Sequence, residues 1–177
     1  RRRPRGAVMY VFDATPLISL ASIDRVTPVT ALDGDCCLPE SVYEEVVTEG
    51  VEGGHADARR VERAVEDDCF SVEPDPETQL VGSLKQSDGL SEADAAVIAL
   101  AAVRDGVAVM DEQYGRTVAD AGGIPTRGTA FVVLTAQKRE LIDADEALEI
   151  IDELLAAGWY CAPDLYVRIQ RKIEAIG

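Results

Sequence analysis

Short apolar runs alternate with longer stretches whose apolar residues recur at helical spacing, which is the pattern of an α/β chain. Val8-Met9-Tyr10-Val11-Phe12 and Val107-Ala108-Val109-Met110 read as buried strands, and each is closed by an acid, Asp13 and Asp111. After the first strand, Thr15-Pro16 predicts a helix over residues 17–23, with Thr15 as N-cap and Pro16 at the first helical position. Pro39-Glu40-Ser41 opens a helix to about residue 49, the glycines from Gly50 to Gly54 break it, and a charged helix covers about residues 56–66. Residues 69–72 form a short strand and 74–87 a loop. Ser91 caps an apolar helix over 92–104, followed by a strand over 107–111 and a short helix over 114–121 ending at Gly122-Gly123. An edge strand at 124–126 and helices over 129–139, 144–157 and 163–175 complete the chain, with no internal repeat. The site of an open α/β sheet lies at the carboxyl ends of its strands, where Asp13 and Asp111 fall.

Two further acids stand out by position. On a helical wheel, Val97, Ile98 and Ala101 all fall within about 60° of Asp94, so Asp94 points with the buried stripe while Glu92 points away. Ser41-x-x-Glu44 reads as a capping box, which gives Glu44 a structural job and leaves its neighbour Glu45 as the better ligand candidate. Each acid also has a plain structural reading. Asp13 can lead a turn, Asp94 can complete a box with Ser91, and either Asp111 or Glu112 can cap the helix that follows. Buried carboxylates without a partner are costly and repel one another. With no Lys or His nearby in sequence, a hard divalent cation is the natural partner, and phosphoester chemistry the natural use.

Composition changes the picture in two ways. A chain of 177 residues with 47% apolar content can bury one core, so a single domain over residues 9–177 is expected, with residues 1–8 as an extension. No apolar stretch is long enough to span a membrane, and the basic start is not followed by a signal-peptide core. The four cysteines lack C-x-x-C spacing, so they read as free thiols of a cytoplasmic protein rather than as a zinc site. The 33 acids against 17 bases, only three of them Lys, give a net charge of −16. Such a surface suits a salt-filled cytoplasm where self-repulsion is screened, as in a haloarchaeon.

The series Phe12-Asp13-Ala14-Thr15-Pro16-Leu17-Ile18, Leu38-Pro39-Glu40-Ser41-Val42-Tyr43-Glu44-Glu45-Val46, Leu90-Ser91-Glu92-Ala93-Asp94-Ala95 and Val109-Met110-Asp111-Glu112 resembles a PIN domain. So do Gly115-Arg116-Thr117-Val118-Ala119, Gly128-Thr129, Ala136-Gln137-Lys138 and the tail around Gly158-Trp159-Tyr160 and Leu165-Tyr166. The resemblance covers about residues 8–174 and is to a subgroup of nucleic-acid-binding proteins, many of which lack a complete acidic set. It implies a three-layer α/β/α fold with a central parallel sheet and a Mg²⁺- or Mn²⁺-dependent ribonuclease leaving a 5′-phosphate and a 3′-hydroxyl. It places Asp13, Glu45, Asp94 and Asp111 on the family's acidic positions, with Glu112 the alternative to Asp111, and Thr15 on its small hydroxyl position. The commonest small members are toxins neutralised by an antitoxin, and members commonly form homodimers.

Substrate backbone needs positive charge, for which Arg116 and Arg127 lie near the strand ends, and Arg59, Arg60 and Arg63 share a charged helix that is more simply a solvated face. His55 reads as a polar loop residue. The competing functional class is a non-catalytic PIN module that binds nucleic acid or a partner protein. A receiver or haloacid-phosphatase domain also ends strands in Asp, but Asp13-Ala14-Thr15 supplies no D-x-D pair and no Lys closes a late strand. A dinucleotide-binding protein fits less well still, because no G-x-G-x-x-G follows a strand.

Overall fold

The computed structural model describes residues 7–177, so all but the last two residues of the expected N-terminal extension lie outside it. Strands β1 (Met9–Phe12), β2 (Asp35–Pro39), β3 (Ser71–Glu73), β4 (Val107–Val109) and β5 (Thr126–Arg127) pair in parallel in the order β3-β2-β1-β4-β5. In the register, Val11 lies between Cys37 of β2 and Ala108 of β4.

The connections fix the layers. Helix α1 (Ala14–Ser22) carries the chain from β1 to β2. Helices α2 (Glu40–Tyr43), α3 (Gly50–Glu52) and α4 (Ala56–Glu66) carry it on to β3 in the same direction. The chain then turns back through α5 (Gln79–Lys85) and α6 (Glu92–Val103) to β4, and through α7 (Gln113–Ala121) to β5. Right-handed crossovers in opposite directions put α1 and α4 on one face and α6 and α7 on the other. The packing agrees: α1 meets α4 and α8 (Thr129–Lys138), while α6 lies across β1, β2 and β4 and meets α7. Helices α9 (Ala144–Ala156) and α10 (Pro163–Ile176) pack on α8. The result is the expected three-layer α/β/α fold.

The core follows the strand alternation. Tyr10 and Phe12 share a face of β1, where Tyr10 stacks tilted on Phe131 of α8 and Phe12 meets Phe70 edge-on. Helix α6 is buried almost throughout from Ala93 to Ala101, as its apolar character predicts. No helix among the described residues is long and apolar enough to cross a membrane.

Several local expectations are corrected. Helix α1 starts at Ala14 with Asp13, not Thr15, as N-cap, so Pro16 sits deeper in the first turn. Strand β2 and a 3₁₀ turn over Thr27–Ala31 lie where no element was expected, and α5 lies inside the expected loop. The helix from Glu40 passes through a π-helical stretch, Glu44–Glu49, and continues into α3, so the break comes only at Gly53-Gly54. The Ser41 capping box does not form: the Ser41 amide and hydroxyl both donate to Asp75 Oδ1 at 3.1 Å. The helix starts at Glu40 with Pro39 as N-cap, so Ser41 lies inside the first turn rather than at the capping position, and a carboxylate 34 residues away takes both its donors.

Candidate metal and nucleic-acid site

Strand order reverses between β1 and β4, and the crevice there opens at the carboxyl ends of both strands. Asp13 is held at that point by the sheet itself, since its backbone N–H donates to the Val109 carbonyl at 2.9 Å. It is only 3% exposed. Its carboxyl is pushed up from 3.8 to about 7, first by burial and next by the charge of Asp94, with Glu45 adding repulsion. The Ala14 amide offsets part of this, and a hydrogen bond with Asp94 favours the proton-bearing form. Glu45 is also raised, by partial burial and by Asp94 and Glu49. Asp13, Glu45 and Asp94 therefore act on one another, as three acids of one site must.

Local structure explains how each arrives. Asp94 is N3 of α6: Oδ2 accepts the Ser91 amide at 2.9 Å, and Ser91 Oγ accepts the Asp94 amide at 3.0 Å. The box thus forms with the shorter Asp, and it fixes Asp94 at the start of the helix that crosses the sheet. Glu45 rides on the π-helical stretch, an insertion of a kind often found at functional sites. That winding buries Val46 and Val47 side by side and leaves Glu44 and Glu45 outward.

Asp111 lies on the neighbouring strand end but is engaged differently. Its Oδ1 accepts the Thr129 amide at 2.8 Å, and its Oδ2 accepts Thr129 Oγ1 at 2.6 Å and Trp159 Nε1 at 3.1 Å. It thereby holds the start of α8 and the turn after α9. The alternative slot, Glu112, is taken up as the N-cap of α7, accepting the Tyr114 and Gly115 amides at 2.8 and 2.7 Å. Sequence reasoning assigned no role to Thr129 or Trp159. The signal available was a Thr directly after a strand and a glycine, together with the only Trp of the chain.

Among the described residues, none of the four acids pairs with Arg, Lys or His, and no group of three or more His, Cys, Asp or Glu side chains is arranged to hold a metal ion. The donors are nonetheless carboxylate oxygens, the atom type that a hard cation takes. Mg²⁺ keeps several waters and takes only one or two carboxylates plus substrate oxygens, and the buried, mutually repelled Asp13 has no other neutralising partner in its surroundings.

Of the expected substrate residues, Thr15 is exposed and lines a cleft of about 800 Å³ with Asp111, Glu112 and Arg116. Arg127 is exposed, donates to the Thr126 carbonyl and lies 5.2 Å over the Phe131 ring. Arg60 of α4 instead donates to the Ala21 and Ser22 carbonyls at the end of α1.

A family model described as PIN domain matches residues 9–175. The chain belongs to the PIN-domain family. Two solved archaeal structures align with it. PAE2754 from Pyrobaculum aerophilum gives a TM-score of 0.52 at 19% identity, covering 73% of this chain and 98% of that one. A domain of a functionally unknown protein from Methanocaldococcus jannaschii gives 0.47 at 19%, covering 69% and 91%. The first is similar in fold; the second adds no weight. No curated protein matches. PIN domains are generally nucleases that depend on divalent metal and act on nucleic acid, and this chain shares that family background.

Proposed function

We propose that this PIN-domain protein is a Mg²⁺- or Mn²⁺-dependent endoribonuclease. The observation that carries the reading is the buried carboxyl of Asp13, held at the carboxyl end of β1 where the strand order reverses, beside Asp94 and Glu45. Asp13, Glu45 and Asp94 hold the ion, with Asp111 as the wall on the neighbouring strand and Glu112 spent on α7. An ion held by these carboxylates would supply water activation for phosphodiester hydrolysis and charge stabilisation at the leaving oxygen. The protein's own part is orientation. The β1 ladder fixes Asp13, the Ser91 box fixes Asp94, and Thr129 and Trp159 fix Asp111 as the wall beside them. Thr15 and Arg116 line the approach for the substrate backbone, with Arg127 beyond them.

The reading extends to a cytoplasmic toxin controlled by an antitoxin protein, and to a homodimer formed through exposed apolar residues of α10 such as Val167 and Ile176. Co-purification and mass measurement test these two. One observation favours a non-catalytic module instead: Asp94 and Asp111 both have structural hydrogen bonds that account for their presence. RNA cleavage in high-KCl buffer with Mn²⁺, Mg²⁺ or EDTA, with Asp94→Asn alongside, separates the two. Metal-dependent cutting lost in the variant supports the nuclease. No cutting, and no shift in melting temperature with metal, supports the module.

A further inference from the structure

The chain carries −16 overall, yet one groove reverses that sign. A cavity of about 640 Å³ between α8 and α10 has Arg116, Arg127, Arg168 and Lys172 on its walls and a single acid, Asp111. It shares Asp111, Arg116, Trp159, Tyr160 and Arg168 with the cleft that holds Thr15, so the two form one channel past the strand ends. Both volumes lie in the range of roughly 300–1,000 Å³ typical of ligand sites. Asp111 is already occupied by three donors, and the two acids that the cleft adds are engaged as well, Glu112 as the cap of α7 and Asp164 with Arg168. Arg116 and Lys172 have no carboxylate among their recorded partners in the described residues, and Arg168 meets only the exposed Asp164 at 3.3 Å.

Tyr160 stands in this channel at 84% exposure. A local device puts it there. Gly158 takes φ +99°, its amide and that of Trp159 bond the Leu155 and Leu154 carbonyls, and the turn ends α9. Trp159 is driven inward to Asp111 and the next side chain outward. An exposed aromatic on a positive channel offers a stacking platform for an unpaired base, while Arg and Lys follow a phosphate backbone.

We infer that this channel binds single-stranded RNA, with Tyr160 stacking a base and Arg116, Arg168 and Lys172 tracking the phosphates that lead to the acids. The inference rests on the nuclease reading for the choice of RNA, and adds the path of the strand. A protein segment could be drawn by charge alone, but would leave the stacking face unused.

The test is fluorescence anisotropy of a labelled single-stranded RNA oligomer on the full chain carrying Asp94→Asn, with Mn²⁺ and high KCl, against the same background plus Tyr160→Ala or Lys172→Glu. Loss of one stacked base weakens binding roughly 5- to 100-fold. Lys172→Glu weakens it further and lowers the salt slope by about 1. Arg59→Glu, on the far helix α4, binds as its parent does. Equal affinity of the Tyr160 and Lys172 variants overturns the inference, as does equal binding of the matching duplex or full competition by polyglutamate. Hydrolysis of bis(p-nitrophenyl) phosphate by the wild type reads the metal chemistry separately. The catalytic reading can thus fail while the channel stands, and the reverse.

Discussion

Replacing Asp13 with Asn removes the most strained charge in the protein while keeping its shape. In the unfolded chain this carboxyl titrates near 3.8, and in the folded chain it is pushed up to about 7 by burial, Asp94 and Glu45. Between those values the folded state binds more protons than the unfolded state. Stability is therefore full below about pH 4, falls as pH rises towards 7, and stays low above. The difference corresponds to at most about 4 kcal/mol, or roughly 8–16 °C in melting temperature for a domain of this size. Asn carries no charge and can donate to Asp94. In EDTA and high KCl, Asp13→Asn is expected to match the wild type near pH 4 and to be the more stable protein near pH 8. Comparing variant with wild type cancels the pH response of the acids remote from the site and leaves that of Asp13 together with its interaction with Asp94 and Glu45. Urea unfolding followed by circular dichroism reads this directly. With Mn²⁺ near 100 times its Kd, the wild type gains about 2.7 kcal/mol and the variant does not, so the order narrows or inverts. A variant less stable than the wild type in EDTA near pH 8 would refute the argument, because the buried charge would then be compensated.

Other outcomes follow from named contacts. Thr129→Val deletes the 2.6 Å hydroxyl bond to Asp111 at a fully buried position, and should cost about 1.5–3 kcal/mol in urea unfolding. Gly128→Ala places a methyl 2.9 Å from Asp111 Oδ1. It should lower both stability and metal-dependent cleavage, read by melting and by RNA cutting. Ser91→Ala removes the hydroxyl that accepts the Asp94 amide, with an expected loss of about 0.5–2 kcal/mol and little change in Mn²⁺ stabilisation, since the residue-91 amide that holds the Asp94 carboxylate remains. Arg25 meets Glu146, Glu149 and Glu153 of α9. Its pairs are part-exposed, so Arg25→Ala should cost no more than about 1 kcal/mol at low salt, and less in high KCl.

The sequence by itself determined the elements whose signals are local. Acids closing apolar runs marked the ends of β1 and β4, periodicity marked α6 as buried, and Ser91 marked its start. These follow from chain geometry over a few residues, so no tertiary knowledge was needed. Asp94 could be aimed at the core because a helix fixes its side-chain directions. What competes for a side chain over long distances was invisible. Asp75 takes Ser41 from 34 residues away, and Thr129 and Trp159 take Asp111 from 18 and 48. Strand β2 is the longest of the sheet at five residues, but Asp35, the adjacent cysteines and Pro39 give it no run of branched apolar residues, and only pairing with β1 shows it. The π-helical winding at Glu45, in which Val46 and Val47 are both buried, is announced by no periodicity. The repulsion among Asp13, Asp94 and Glu45 exists only once three separate elements converge on one crevice. The charge reversal beside Tyr160 likewise needs α8 and α10 to pack. Sequence set the chemistry of each residue, and tertiary contact decided which residues share a volume in which that chemistry can act.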